Sequence, residues 1–444
     1  MWERLRSIWT IPDLRNKILF TLGMLLVFRL VAHVPVPGID PASLQNALGN
    51  NQQYNQLFGL LDVFSGGSLQ TFSVAALGVY PYITASIVMQ LIVPIFPRLE
   101  ALQREGGEAG RTRISQYTRV LTVPLAFLQA FGQSAIFVQL GAISQGQFSL
   151  FQASTFLPTF ATLVTLTAGT VFLVWLGEVI TENGIGNGIS LIIFAGIVSR
   201  LPSDVGTLLI STSAGGVTNT TNIVQIVVFI AVVALIVLSI VFIYQAQRRV
   251  PVQYPTKRMV GRDRYAGSSQ MSYIPMQINM AGMIPLIFAQ SMLIFPVILS
   301  SYLAFSSNKF IANAANAVRA WVDQTHWWYW VIFFVLVVAF TFFYAMVLWQ
   351  QQNLPENLQK QGAIIPGIRP GPKTQQYLDA VLRRITLAGA VFLGIIAVVP
   401  AFFLVNGTQL LSAAALLIAV GVVLDTVKQL EAQMVMRNYS GFLR

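Results

Sequence analysis

NGIGNGISLIIFAGIVSR, residues 183–200, is the stretch on which the fold turns. It opens on Gly184, Gly186 and Gly188 and holds a short apolar run over about 189–202. A helix needs about 20 mostly apolar residues to cross a bilayer core, so on length alone this run is a weak span. Nine runs are stronger, at about 18–34, 74–96, 115–140, 155–177, 223–246, 274–300, 327–349, 385–404 and 409–427. Charge decides the tenth. With 189–202 counted, the loops 1–17, 97–119, 177–188, 247–273, 350–384 and 428–444 share one side and hold 23 of the 27 Lys and Arg. The loops 35–73, 141–154, 200–222, 301–326 and 405–408 hold 3, and Arg29 lies inside the first run. Leaving the run out would put the six basic residues of 247–273 on the opposite side. Basic residues mark cytoplasmic loops, so the sequence predicts ten spans with both termini in the cytoplasm.

Composition agrees. Of 444 residues, 55% are hydrophobic and 10% charged, with a mean hydropathy of +0.67. Soluble domains carry about 25% charge. A soluble enzyme, a disordered chain and a coiled coil are excluded. The runs are long and continuously apolar, unlike the short alternating strands of a membrane barrel. There is no cysteine, hence no disulfide framework and no thiolate metal site. The two histidines, His33 and His326, are far apart, so no metal site or cofactor is expected. The net charge of +11 is accounted for by the cytoplasmic loops. Residues 1–17 are amphipathic, suited to lying on the membrane surface or to serving as a positive flank, and no signal-peptide cleavage site follows the first run.

Ten spans divide into two sets of five. An odd-numbered half turns its copy upside down, the arrangement of inverted-repeat transporters. A coupled transporter, however, places ionisable groups at mid-depth. Here Glu178 and Asp425 sit at predicted cytoplasmic span ends, and Arg29 lies in the outer third of the first span. The interior polarity is neutral: Gln90, Asn187, Asn279, Gln290 and many Ser and Thr. Helix–helix hydrogen bonding accounts for most of it. The chain has no HExxH and no GxxxxGK[ST], so neither a zinc protease nor a P-loop ATPase is indicated. The first outer loop carries LLDVFSGGSLQTF (60–72), a short apolar segment closed by Gly66-Gly67. It is too short to span, and it suits either re-entry into a cavity or an outer surface helix. ALGVYPYITASIVMQL (76–91), the 183–196 stretch and INMAGMIPLIFAQSML (278–293) each pair Gly or Pro with an amide, a pattern of bendable, closely packed helices. The basic loops 247–273 and 350–375, the second with GAIIPGIRPGPK, suit an acidic or RNA-rich partner.

Taken in order, VPVPGID (34–40), FSGG (64–67), ALGVYPYITASI (76–87), EGGEAGRTRISQYTR (105–119), WLGEVITENGIGNGISLIIFAGIV (175–198), QAQRRVPVQY (245–254), INMAGMIPLIFAQS (278–291), GAIIPGIRPG (362–371) and RITLAGA (384–390) resemble the SecY/Sec61-alpha family of protein-conducting channels. The resemblance implies an all-α polytopic membrane protein, ten transmembrane helices in two inverted five-helix halves around an hourglass pore. The halves would be 18–202 and 223–428, joined by an outer loop at 203–222, with a cytoplasmic N-terminal segment 1–17 and a tail 429–444.

It also implies site residues. Val79, Ile83, Ile189, Ile193, Ile287 and Ile418 would form an apolar pore ring, which dewets against ions yet yields around a polypeptide. A plug at about 57–69 would include Leu60, Leu61, Phe64, Ser65, Gly66 and Gly67. Spans two and seven would form a lateral gate, with Thr84, Gln90, Asn187, Asn279, Ser291 and Phe295, the three amides pairing with one another. Arg248, Arg249, Arg262, Arg264 and Arg369 would dock partners. GRDRY (261–265) departs from the family's usual GRR, and Val79-Tyr80 from its Ile-Met. The implied function is export of secretory polypeptides across the bacterial cytoplasmic membrane and sideways release of transmembrane segments into it. Implied partners are SecE- and SecG-type subunits, the SecA ATPase, the ribosome with its nascent chain, signal peptides and the lipid bilayer. No catalysis is implied. The competing reading is a secondary solute transporter.

Overall fold

The structure is a computed structural model that describes residues 11–37, 65–69, 71–139, 153–213, 220–259, 265–282, 284–303, 309–321, 326–352, 354–369, 371–399 and 413–441. In chain order its helices are α1 Pro12–Val31, α2 Tyr80–Ile92, α3 Pro97–Glu105, α4 Gly107–Gln139, α5 Ala153–Asn183, α6 Gly188–Ser213 and α7 Thr220–Gln245. Strands β1 Gln247–Met259 and β2 Tyr265–Gln277 follow, then α8 Ile284–Leu303, α9 Lys309–Trp321, α10 Trp327–Gln352, α11 Leu354–Lys360, α12 Pro372–Val398 and α13 Ala413–Gly441. Each of the ten expected runs falls on a helix. The weak run of 189–202 is part of the 26-residue α6, which continues through Pro202. Thr155–Asn183, Trp327–Gln350 and Pro372–Val398 are long and apolar enough to cross a bilayer as they stand.

Several boundaries differ from the sequence reading. Residues 74–79 are turns, not the start of span two, because Gly78 takes a left-handed φ of +58° and Pro81 sits in the first turn of α2. Beyond Ile92 the chain bends by 105° into α3, which begins at Pro97. The seventh helix starts at Ile284 rather than 274, because Ile274–Gln277 belong to β2. Helices α4, α12 and α13 run on past the apolar stretches into segments expected to be loop or tail.

The chain forms two compact units, one of Met1–Gln225, Ser291–Tyr329 and Leu404–Arg444, the other of Ile226–Gln290 and Trp330–Phe403. In the first, α4 packs on α2 and α5, and α6 packs on α5 and α13. Glycines set the closest approaches. A Cβ at Gly169 would fall 1.9 Å from the Val74 carbonyl oxygen, and one at Gly188 1.9 Å from that of Gly177.

In the second unit, the loop expected at 247–273 is an antiparallel hairpin, registered from Gln247↔Gln277 to Met259↔Tyr265. Pro251 and Pro255 exclude a helix there. Val250, Val252 and Met276 turn inward onto Trp349, Leu358, Ala363, Ile365, Leu378 and Leu382. Gln253 and Ile364 exchange backbone bonds, Gln253 N–H to Ile364 O at 2.8 Å and the reverse at 2.9 Å. The indole N–H of Trp349 donates to Asp379 Oδ1 at 2.7 Å. The two basic loops thus share one core. Leu378 is fully buried in it. We expect Leu378→Ala to cost about 2–5 kcal/mol locally. Limited proteolysis between residues 250 and 275 should accelerate, and an unchanged cleavage rate would contradict the shared core.

Candidate functional site

The segment that follows α1 is closed at its base by backbone bonds. Val36 N–H donates to Phe72 O at 3.1 Å and Val74 N–H to Val34 O at 2.9 Å, around a bridge between Pro35 and Ser73. Phe72 holds a left-handed φ of +42° and meets Phe137 edge-on, with centroids 4.6 Å apart. Gly-Gly makes the turn that precedes this base: Gly66 and Gly67 have φ of +70° and +83°, values that favour glycine. Ser68 Oγ donates to Ser65 O at 2.6 Å, and Ser65, Ser68 and Leu69 are each 1% exposed. The Gly66 carbonyl accepts two bonds, from Arg29 Nη1–H at 2.9 Å and from Ser199 Oγ at 3.3 Å. A Cβ on Gly66 would lie 2.8 Å from Gly196 Cα and 3.0 Å from Phe28 Cζ. Leu60, Leu61 and Phe64 lie outside the described residues.

Spans two and seven meet within the first unit. The Tyr80 hydroxyl, on the first turn of α2, donates to the backbone oxygen of Ser291 on α8 at 3.3 Å. Thr84 Oγ1 donates to Tyr80 O at 3.0 Å, and Gln129 Nε2 on α4 donates to Thr84 Oγ1 at 3.3 Å. A chain of polar contacts therefore joins α4, α2 and α8. Ser291 is buried and Phe295 is 43% exposed. The three amides expected to pair with one another each bond within their own segment. Gln90 Nε2 donates to Ser86 Oγ at 3.2 Å. Asn187 Oδ1 caps α6, accepting from Ile189 N–H at 3.1 Å and Ser190 N–H at 3.2 Å. Asn279 Nδ2, in the second unit, donates to Gly282 O at 3.1 Å.

Of the residues expected in the apolar ring, Val79, Ile83, Ile193 and Ile418 are buried in the first unit. Val79 is the N-cap of α2, and Ile83 lies one turn further on. Ile189 packs on Gly177, whose missing side chain makes room for it. Ile287 is buried in the second unit, on the first turn of α8. Of the docking residues, Arg248, Arg249 and Arg369 are exposed, while Arg262 and Arg264 lie outside the described residues. The Arg369 carbonyl accepts from Thr374 Oγ1 at 3.0 Å, which ties its loop to the start of α12. Among the described residues no group of three His, Cys, Asp or Glu could hold a metal ion.

Three features went unassigned in the sequence. Tyr80 stood out only as a departure from the family pattern. Arg29 was visible as a charge inside a span, but its acceptor is 37 residues away. Arg119 Nε pairs with Glu178 Oε1 at 2.5 Å and joins α4 to α5, a pairing that spacing alone does not reveal.

Gly188 sets where α6 begins and hence where Ile189 and Ile193 stand. Overpacking there costs about 1–3 kcal/mol. Gly188→Ala should therefore lower the thermal stability of the purified protein by that order, and an unchanged melting curve would contradict the close approach.

The family model of SecY matches residues 73–427. Protein translocase subunit SecY of Streptomyces galbus is 42% identical over 98% of both chains, and that of Streptomyces coelicolor is likewise 42% identical over 98% of both. The subunit of Mycobacterium bovis is 40% identical over 97% of both. Among solved structures, one described as a protein-conducting channel aligns over 94% of this chain and 92% of its own, with a TM-score of 0.62 at 16% identity. A second concerns the SecY plug domain, described as stabilising the closed channel and maintaining a membrane seal, and has a TM-score of 0.60 at 17% identity and the same coverage. A third is Sec61 in the canine ribosome–channel complex, with a TM-score of 0.58 at 16% identity, again over 94% and 92%. The fold is thus that of the SecY/Sec61 channels, and the chain belongs to the SecY family of multi-pass membrane proteins.

Proposed function

We propose that this chain is the channel-forming subunit of a protein translocase of the bacterial cytoplasmic membrane. It passes secretory polypeptides across the bilayer and releases transmembrane segments sideways into it. The observation that carries this reading is the Ser65–Leu69 turn. It is non-helical backbone buried among apolar helices, with its polar atoms met by protein side chains. Irregular backbone is tolerated at membrane depth only where protein or a water-filled cavity surrounds it. A removable stopper meets that condition.

In this reading residues 57–69 are the plug. Val79, Ile83, Ile189, Ile193, Ile287 and Ile418 form the apolar gasket between an N-terminal half, 18–202, and a C-terminal half, 223–428. Such a ring blocks ions by dewetting and has no preference for the sequence of the polypeptide that parts it. Helices α2 and α8 are the two leaves of the lateral gate, and the Tyr80–Ser291 bond supports a shut state. A signal helix that binds only the parted leaves draws the equilibrium towards opening. Gln90, Asn187, Asn279 and Phe295 line or flank the same opening.

The exposed Arg248, Arg249 and Arg369, with Arg262 and Arg264, form the cytoplasmic docking face for the ribosome and a SecA-type ATPase. The shared core beneath the hairpin and the 361–369 loop supports this, because it presents both loops as one surface. SecE- and SecG-type subunits complete the assembly, and both termini face the cytoplasm. The chain does no chemistry of its own in this reading; its partners supply the driving force.

The test is the seal. Ile287→Asn, or deletion of residues 60–68, should make the resting channel conduct ions and should let weak signal sequences through. Resting conductance and signal stringency both unchanged would contradict the ring and the plug. Tyr80→Phe removes one neutral hydrogen bond, worth about 1 kcal/mol. It should bias the gate towards opening by a few-fold, measured as export of a substrate with a weakened signal. Export no better than that of the parent would rule the bond out as a latch.

A further inference from the structure

Arg29 is the one basic residue that the charge count places inside a span. A charge at such a position has to be paired or solvated, and in membrane proteins it marks function more often than structure. Its location in the last turn of α1 suits the negative end of the helix dipole. That alone would leave the guanidinium pointing at water. Instead Nη1–H is 2.9 Å from the carbonyl oxygen of Gly66, in the turn that ends the plug segment. Ser199 Oγ, on α6, reaches the same oxygen at 3.3 Å and also donates to Gly196 O at 2.7 Å. The turn leaves no other placement for that oxygen. Gly66 is buried, its φ is +70°, and it sits so close to Gly196 Cα and Phe28 that a Cβ would collide. The carbonyl is thereby reached from two different spans, firmly by Arg29 and, at longer range, by the Ser199 hydroxyl, whose one proton is shared with the nearer Gly196 oxygen. One of the two bonds is charge-assisted, and such bonds are about twice as strong as neutral ones.

We propose that Arg29 is the latch of the plug, a positioning residue that holds the Gly66 turn in its closed seat, with Ser199 as the weaker second hold. The inference rests on the plug reading above and adds to it the residue that sets how tightly the plug stays in. Opening requires the guanidinium to give up this carbonyl. Arginine suits the task because several donors on one rigid plane reach a fixed acceptor while the remaining N–H groups stay hydrated. A lysine keeps the charge but offers only a compact point donor.

The test compares Arg29→Gln, Arg29→Lys and Ser199→Ala in proteoliposomes of the purified translocase complex, each in the full chain and in a chain lacking residues 60–68. Losing a charge-assisted bond corresponds to about tenfold in the closed-to-open ratio. Arg29→Gln should raise resting conductance by about that factor, with Arg29→Lys and Ser199→Ala intermediate, and should add nothing once the plug is deleted. Because the chain has no cysteine, Ser65→Cys supplies a single thiol. Its labelling by a membrane-impermeant maleimide from the outer side should quicken by the same factor in Arg29→Gln. Conductance and labelling equal to those of the parent would overturn the latch. So would an equal rise in the plug-deleted chain, which would make Arg29 a support for α1 only. If plug deletion itself left conductance unchanged, the plug reading would fail rather than the latch alone. If Arg29→Gln failed to assemble, Arg29→Lys carries the same comparison, and parent-like labelling there together with parent-like labelling in Ser199→Ala would overturn the proposal.

Discussion

Inside a bilayer every backbone polar group must find a protein partner, because the hydrocarbon offers none. Helices meet that demand internally. The turn at Ser65–Leu69 does not, and the first unit is arranged around satisfying it. Arg29 of α1 and Ser199 of α6 supply donors to one carbonyl. Gly196 leaves room for the backbone, and Ser68 bonds the Ser65 carbonyl. The bridge of Pro35 with Ser73 fixes the place where the segment rejoins the helices. On the plug reading proposed above, a turn held by a few polar bonds, rather than by a large apolar interface, suits a stopper that must leave its seat.

The same economy appears between α2, α4 and α8. Their polar chain, from Gln129 through Thr84 and Tyr80 to Ser291, is built of neutral bonds at 3.0–3.3 Å. Around it lie buried polar atoms with no hydrogen-bond partner among the described residues: Oε1 of Gln90, Gln129 and Gln133, and Oγ of Ser134 and Ser291. Each unmet buried group costs about 1–3 kcal/mol. That cost is borne by the packed state and relieved in any state that admits water or a passing peptide. On the gate reading proposed above, the contact between α2 and α8 is therefore held weakly, as opening by one short apolar helix requires.

The fold was legible where apolar length or charge carries it. Each apolar run read from hydropathy falls on a helix, and the doubtful run after Asn187 is a full helix begun by that residue's own cap. Less legible was what depends on contacts distant in the chain. The hairpin at 247–277 shows little sustained alternation of apolar and polar residues and carries three prolines, Pro251, Pro255 and Pro275, so it reads as loop until the core beneath it is seen. The late start of α8 follows from that hairpin. Of the residues expected at a gate, Thr84 and Ser291 belong to one polar chain, and Tyr80 joins them. An aromatic residue in an apolar run carries no sign of its hydroxyl's partner. Arg29 could be seen to need an acceptor, but a carbonyl across the outer loop has no sequence signature.

In the proposed channel, a polypeptide passes between these helices through the apolar constriction. The most direct measurement places a photoreactive residue at Ile287 and stalls a secretory protein partway through export. A cross-link at that position that depends on a working signal sequence is the predicted result. No cross-link in the assembled translocase, with export otherwise intact, would exclude passage at Ile287 and favour solute transport instead.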